Sequence, residues 1–379
     1  MYNWGRKSAF TLVTLLCVAG LGIAGIALVP APAEAATTVN QCQVINDSNA
    51  PADGQVLLGQ DVTASGTCIQ IATSDVVFDG QGNTITGPGS SGDGVFVGNA
   101  SADVSNVTVR NVAVEDFSNG VRLSDAVDPT AVSDVDVENV TATNNGKGVY
   151  VENQAFTGVT VTDTKVVGNL DGVYVQGSAS LDGVNATDNT EGVVLTGAGG
   201  GTLSNSEVNG GLTGVEAASA GANVDDVAID GAGNAGITGT GDDVTVKSTV
   251  VQKVGGGPNE VGGISIDGAD GVVVRNSAIS RISAGDGVKV VDSTNVKIAF
   301  GNVANVSGSG VNATQVGAPT SVEVDGMLIR GNFGLADEYG VRAVGVSGAT
   351  VVDNRIRNMS DSGVFVDQSS NVAVRDNDV

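Results

Sequence analysis

A glycine followed by valine or isoleucine returns every 20 to 30 residues through most of this chain, at Gly94, Gly120, Gly148, Gly172, Gly192, Gly214, Gly236, Gly263, Gly287, Gly310, Gly340 and Gly363. A single globular core imposes no such beat, whereas a stack of similar units does. Many of these glycines open alternating segments, such as Val149-Tyr150-Val151, Val173-Tyr174-Val175, Ile264-Ser265-Ile266 and Val364-Phe365-Val366. That period of two marks a strand with one buried face. A second series keeps step with the first: Asn111, Asn139, Asp163, Gly183, Asn205, Asp226, Ser248, Asn276, Gly301, Gly326, Asn354 and Asn377. Every member is Asn, Asp, Gly or Ser, the residues that bend a backbone sharply by accepting left-handed φ or by bonding side chain to main chain. Apolar residues flank them, as in Val107-Thr108-Val109-Arg110-Asn111-Val112-Ala113-Val114. Each repeat therefore reads strand, tight turn, strand, looser turn, strand.

Strands this short cannot bury their apolar faces alone. Stacked about 4.8 Å apart, their like positions align into parallel sheets around one aliphatic core. The sequence thus predicts an all-β fold, a right-handed single-stranded parallel β-helix solenoid of about 12 coils with three parallel sheets. Such a rod is roughly 55 to 60 Å long. Asparagines at the tight turns are expected to stack as a hydrogen-bonded ladder. No window sustains an apolar 3.6-residue period, and the leucine-rich, calcium-nonapeptide, left-handed hexapeptide and propeller repeats each lack their own signature here.

The ends differ from the middle. Arg6 and Lys7 precede an apolar stretch from Ala9 to Val29 and the small-residue run Ala33-Glu34-Ala35-Ala36. Residues 1–36 read as a secretory signal peptide cut after Ala35 or Ala36, with Cys17 inside it. Residues 37–90 read as an N-terminal cap with an opening coil, and 91–379 as the β-helix proper. The sequence stops within a coil at Asp376-Asn377-Asp378-Val379, so the β-helix is expected to be truncated there. Export places Cys42 and Cys68 in an oxidising compartment, where a disulfide between them is expected, contributing about 3 kcal/mol.

Charge narrows the partners. The formal net charge is −25, with no histidine. A positive footprint for nucleic acid or anionic membranes is absent, and nothing in the mature segment calls for membrane insertion. So acidic a surface also suits high salt, where repulsion between carboxylates is screened.

The segment from Cys68 to Thr86, followed by the recurring Asn-Val-x-Val-x-Asn and Gly-Val-x-Val pattern, resembles the right-handed β-helix repeat proteins of the NosD and carbohydrate-associated type, especially exported haloarchaeal members. The resemblance covers nearly the whole mature chain. It implies the fold and leaves function open, because this scaffold carries lyases, hydrolases, epimerases, copper-site maturation factors, adhesins and surface-layer components.

Histidine triads and imidazole metal sites are excluded by composition. A NosD-like export-side maturation factor would have only Met327 and Met359 as soft ligands beside the two cysteines. No metal site and no catalytic residue are assigned, and no cofactor is called for. Calcium is the one ion that rows of aspartate on adjacent coils could take up. The leading expectation is a non-catalytic extracellular or cell-surface module for adhesion, envelope structure or carbohydrate interaction, with glycans or other envelope proteins as partners. The rival is a calcium-assisted polysaccharide lyase or epimerase acting on acidic glycans, with Arg281 and Arg355 of the arginine-rich last third against the ligand. Tyr150 and Tyr174, one repeat apart, form the candidate aromatic contact for sugar. Two excursions, Gly255–Glu260 and Phe333–Tyr339, are further places for a site. Asp225-Asp226 and Asp242-Asp243 read as solvent-facing turn residues, because neighbours in a strand point to opposite faces. Asn-x-Ser/Thr acceptors for glycosylation stand at Asn46, Asn99, Asn106, Asn139, Asn185, Asn305, Asn312 and Asn358.

Overall fold

The computed structural model describes residues 36–99, 102–124, 132–152, 155–255, 262–331 and 338–379. The segment expected as a signal peptide, residues 1–36 with Cys17, lies outside the described residues but for Ala36. So do residues 256–260 and 333–337 of the two excursions. Among the described residues every regular element is a strand, arranged in a 26-stranded and a 14-stranded sheet. All pairings are parallel, each joining one coil to the next: Asn119 pairs with Lys147, and Lys147 with Asp171.

One coil shows how the sequence closes on itself. Asn119–Leu123 belongs to the smaller sheet. Val132–Glu138 then runs along the larger sheet, and Asn139 turns the chain at a left-handed φ of 50° into Thr141–Thr143. Asn144, at φ 55°, turns it again into Lys147–Val151, back on the smaller sheet one level up. The larger sheet is thereby folded at its tight corner into two walls, and the smaller sheet is the third. Alternation places Val121, Leu123, Val149, Val151, Val173 and Val175 fully inside. Phe78, Phe117 and Phe156 are the largest fully buried side chains among the described residues.

The repeated glycine has a steric cause. Its φ is not left-handed in these strands; it sits where the chain re-enters the smaller sheet facing inward. A Cβ at Gly120 would lie 2.5 Å from the carbonyl oxygen of Gly148, and one at Gly148 would lie 2.5 Å from that of Gly172. Any side chain here would push successive coils apart.

The second series occupies the tight corner, with one correction. Asn111, Asn139, Asp163, Gly183, Asn205, Asp226, Ser248, Asn276 and Gly326 adopt left-handed φ of 48° to 67°. In three coils the left-handed residue is Phe300, Asp353 or Asp376, one position earlier than the series places it. Asn354 and Asn377 there face inward instead. Asn377 Oδ1 accepts the backbone N–H of Asn354 at 3.0 Å, and Asn354 Oδ1 accepts that of Met327 at 2.9 Å.

A longer asparagine ladder runs inside the other corner. Asn145, Asn169 and Asn189 are buried on successive coils. Asn169 Oδ1 accepts the Asn145 backbone N–H at 2.8 Å, and its Nδ2 donates to Ala142 O at 3.1 Å and to Asn189 Oδ1 at 2.9 Å. The ladder satisfies main-chain groups that the corner takes out of sheet pairing.

Residues 37–90 build coils of ordinary register, since Thr37–Val39 pairs with Gln55–Leu58 and Gln43–Ile45 with Ile69–Ile71. Cys42 and Cys68 sit one residue before that second pair and are joined by a disulfide, with Cα atoms 4.3 Å apart.

Replacing Asn169→Ala should strand the Asn145 amide and the Ala142 carbonyl in the interior. Urea unfolding should show a loss of about 2 to 6 kcal/mol, at about 1 to 3 kcal/mol for each of the two unsatisfied groups. A change below about 0.5 kcal/mol would show that the ladder is not needed to satisfy the corner.

Candidate functional site

In each strand of the smaller sheet the residue between the two inward side chains points outward. Parallel register lines these residues up as Phe96, Arg122, Tyr150, Tyr174, Val194 and Glu216. A neighbouring row, one residue before each repeat glycine, carries Asp93, Asn119, Lys147, Asp171, Glu191 and Thr213. Rungs are about 4.8 Å apart, so side chains on adjacent coils touch.

The two rows interlock. Tyr150 and Tyr174 meet edge to face with ring centroids 5.5 Å apart. Lys147 Nζ stands 4.7 Å from the Tyr174 ring and 5.4 Å from the Tyr150 ring, and it pairs with Asp171 at 2.9 Å. The Arg122 guanidinium covers the Phe96 ring at 5.5 Å, while its Nε donates to Glu152 at 2.9 Å and its Nη1 lies 3.6 Å from Asp93. Cations over ring faces are held by the ring quadrupole, and opposite charges on neighbouring rungs hold them there. Tyr150 donates its hydroxyl to Gln176 Oε1 at 3.3 Å. Burial, and then the charge of Glu152, push the Tyr150 phenol up to about 12. It stays protonated and uncharged at neutral pH.

Beyond Tyr174 the strip turns acidic. Burial raises the pKa of Glu191, reinforced by the charges of Glu216 and Asp171; Glu216 is raised by burial and then by Asp171. Neither carboxyl has a hydrogen bond or ion pair among the described residues. The next two rungs present only the small Thr238 and Ser265 in the outward row. Farther along the same face, buried Asp286 accepts from the Ser309 N–H at 2.7 Å and Asn312 Nδ2 at 2.8 Å. Arg342 donates to Asn312 at 3.0 Å, and Tyr339 packs on Phe365 with centroids 5.0 Å apart.

Tyr150 and Tyr174 thus stand together on this face, and Arg281 and Arg355 stand elsewhere. Arg281 is exposed at a corner of the larger sheet and donates to Gln252 Oε1; Arg355 opens the strand Arg355–Arg357, 3.7 Å from Asp378. Their strands are separated by two others, through Asn302 and Leu328. Of the basic residues of the last third, Lys289 and Arg342 lie on the tyrosine face, and the rest are spread over the walls of the larger sheet. Asp225 pairs with Lys247 at 3.0 Å, Asp226 and Asp243 occupy left-handed corners, and Asp242 accepts the Asp270 N–H at 2.8 Å. Among the acceptor asparagines, Asn106, Asn139, Asn305 and Asn358 are exposed at left-handed corners. Asn46, Asn99, Asn185 and Asn312 are half-buried with their side chains hydrogen-bonded.

Phe96, Arg122, Lys147, Asp171, Glu191 and Glu216 were not singled out by the sequence. Their signal was present: each fills a variable position of x-Gly-Val-x-Val, x-Gly-Val-x-Leu or x-Gly-Val-x-Ala, and only reading those positions in register groups them.

The geometry defines a parallel β-helix protein. One family model, the right handed beta helix region, matches residues 262–379, and another, the periplasmic copper-binding protein NosD, matches 45–226. The two matches, together with the parallel coils, support a NosD-like right-handed β-helix repeat protein. No curated protein matches it. Among solved structures it is similar to the A-module of the Azotobacter vinelandii mannuronan C-5 epimerase AlgE4, at 16% identity and TM-score 0.52, covering 85% of this chain and 88% of that one. It is also similar to a tailspike double mutant of the E. coli bacteriophage HK620 in complex with a pentasaccharide, at 12% identity and TM-score 0.58, covering 84% and 73%. At such identities the likeness is one of fold.

The donor set does not fit copper. Within 45–226 the only sulfur is that of Cys68, which is in the disulfide. Met327 is buried with its thioether accepting the Gly301 N–H at 3.0 Å, and Met359 packs against the core. Among the described residues no three His, Cys, Asp or Glu converge as a metal site. No helix of the described residues is long and apolar enough to cross a membrane.

A carboxyl whose folded pKa is raised stabilises the fold fully at low pH and loses that advantage as pH climbs through the raised value. Glu216→Gln should therefore melt higher than the parent at pH 7, with the gap closing below about pH 4, the ordinary glutamate range. Equal melting temperatures at both pH values would show that the carboxyl is not desolvated.

Proposed function

We propose that this chain is an exported β-helix module, extracellular or at the cell surface, that holds glycan chains along the outer face of its smaller sheet and does no chemistry on them. The supporting observation is the continuous row Phe96, Arg122, Tyr150 and Tyr174, with Lys147 and Asp171 beside it. Half-buried aromatic rings offer the flat apolar surface on which the C–H face of a sugar ring stacks, and the bordering amide, carboxyl and phenol groups match its hydroxyls. A rigid strand surface fixes these groups in advance, so little ordering entropy opposes binding.

A lyase or epimerase needs a base that can lose its proton near neutral pH. On this face Arg122 and Lys147 are each tied to carboxylates, and Tyr150 is held protonated. Arg281 and Arg355 lie away from it. The periplasmic character of the NosD family agrees with export.

Affinity electrophoresis of the mature protein through gels containing individual polysaccharides should reveal retardation by at least one. Tyr150→Ala with Tyr174→Ala should weaken it about tenfold or more, with the unfolding midpoint near that of the parent. Retention unchanged by the double substitution, or unsaturated sugar products appearing by absorbance, would overturn the reading.

A further inference from the structure

The charge arrangement on the strip says which glycans it takes. Resting on the glycan-holding reading above, we propose that the strip selects neutral sugars and rejects uronate or sulfated chains, with Asp171, Glu191 and Glu216 as the discriminating groups.

Two cations stand among the rings, and neither is free to meet an anionic ligand. Arg122 is engaged by Glu152 and Asp93, and Lys147 by Asp171. An incoming carboxylate would have to displace a partner already in place, and the displaced carboxylate would remain on the same surface. The next rungs then bring Glu191 and Glu216 alongside Tyr174 and Val194. No lysine or arginine occurs between Lys165 and Lys247, so only Lys147, already paired with Asp171, partly offsets Glu191, and no cation acts on Glu216. Burial raises the pKa of both, and nearby negative charge adds to it: that of Glu216 and Asp171 at Glu191, and that of Asp171 at Glu216. A third negative charge brought against them meets the same repulsion, at short range and partly out of water, where it is strongest. The whole chain, at −25, adds a long-range field of the same sign.

A neutral sugar meets the opposite situation. Its hydroxyl protons are donors, and the unpartnered oxygens of Glu191 and Glu216 are acceptors waiting for them. Hydrogen bonds to an ionised acceptor are about twice as strong as neutral ones. Its ring face stacks on Tyr174 and Tyr150, while the neutral Tyr150 hydroxyl and Gln176 extend the polar border. The strip is thus favourable to hydroxyls and unfavourable to anions, which is specificity by repulsion as much as by attraction.

Calorimetric titration with three hexasaccharides of matched length tests this: a neutral glucan, a polyuronate and a fully deacetylated chito-oligosaccharide, at low and high salt. The expected result is binding of the neutral chain, little changed by salt, with the polyuronate at least about tenfold weaker at low salt. Glu191→Lys with Glu216→Lys should raise polyuronate affinity about tenfold or more, and Glu216→Lys alone part of the way. Polyuronate binding as tight as or tighter than the neutral chain, binding of the deacetylated chain alone, or lysine variants that leave the discrimination unchanged would each overturn the proposal while leaving a glycan-holding surface in place. If no chain binds and a wider polysaccharide panel is also negative, it is the glycan reading itself that fails.

Discussion

The spacing between successive coils is the constraint on which the molecule rests. Main-chain hydrogen bonds draw parallel strands together, and from Gly94 to Gly340 the inward position before each repeat valine or isoleucine has no room for a Cβ because a carbonyl oxygen of the next coil lies 2.3 to 2.8 Å from where it would be. Glycine at Gly120, Gly148, Gly172 and their equivalents keeps the rungs at sheet distance. Valine and isoleucine columns can then close on one another, and the core stays continuous from Val39 to Ile356.

Sharp corners create a polar problem, since each takes amides out of the sheets and toward the interior. The chain solves it with short side chains. Asn145, Asn169 and Asn189 do so at one corner, and Ser206, Ser277, Asn354 and Asn377 at the other. Each accepts the backbone N–H of the residue one coil earlier. Bonds of this kind also transmit register, because a ladder residue satisfies its neighbour only when the two coils are aligned.

Register in turn makes the outer surface functional. Side chains at one position of every coil become neighbours about 4.8 Å apart, so a row of unrelated residues acts as one surface. Cations settle over rings, carboxylates settle beside cations, and where cations run out the carboxylates are left to repel one another at Glu191 and Glu216. The strip has an aromatic end and an acidic end because the coils are ordered along a rod, and it is rigid because every residue in it is anchored by inward neighbours on the same strand.

Period, alternation and bend-forming residues were enough to determine the parallel β-helix, since short amphipathic strands joined by sharp turns can bury their faces only by stacking. They also located most of the left-handed corners and brought Tyr150 and Tyr174 to one face. The tertiary structure alone decided which residues become neighbours across coils, because coil length varies from 20 to 30 residues and hydrogen-bonded register, not sequence interval, does the matching. Hence Phe96 and Arg122 became partners, the long buried asparagine ladder fell at Asn145 while at the tight corner Asn139 donates to Asn111 on the surface, and Asn354 turned inward while Asp353 took the corner. Arg281 and Arg355, grouped by their place in the sequence, came to lie on walls away from the tyrosines for the same reason: facing direction in a strand changes with every residue, and proximity along the chain carries no information about it.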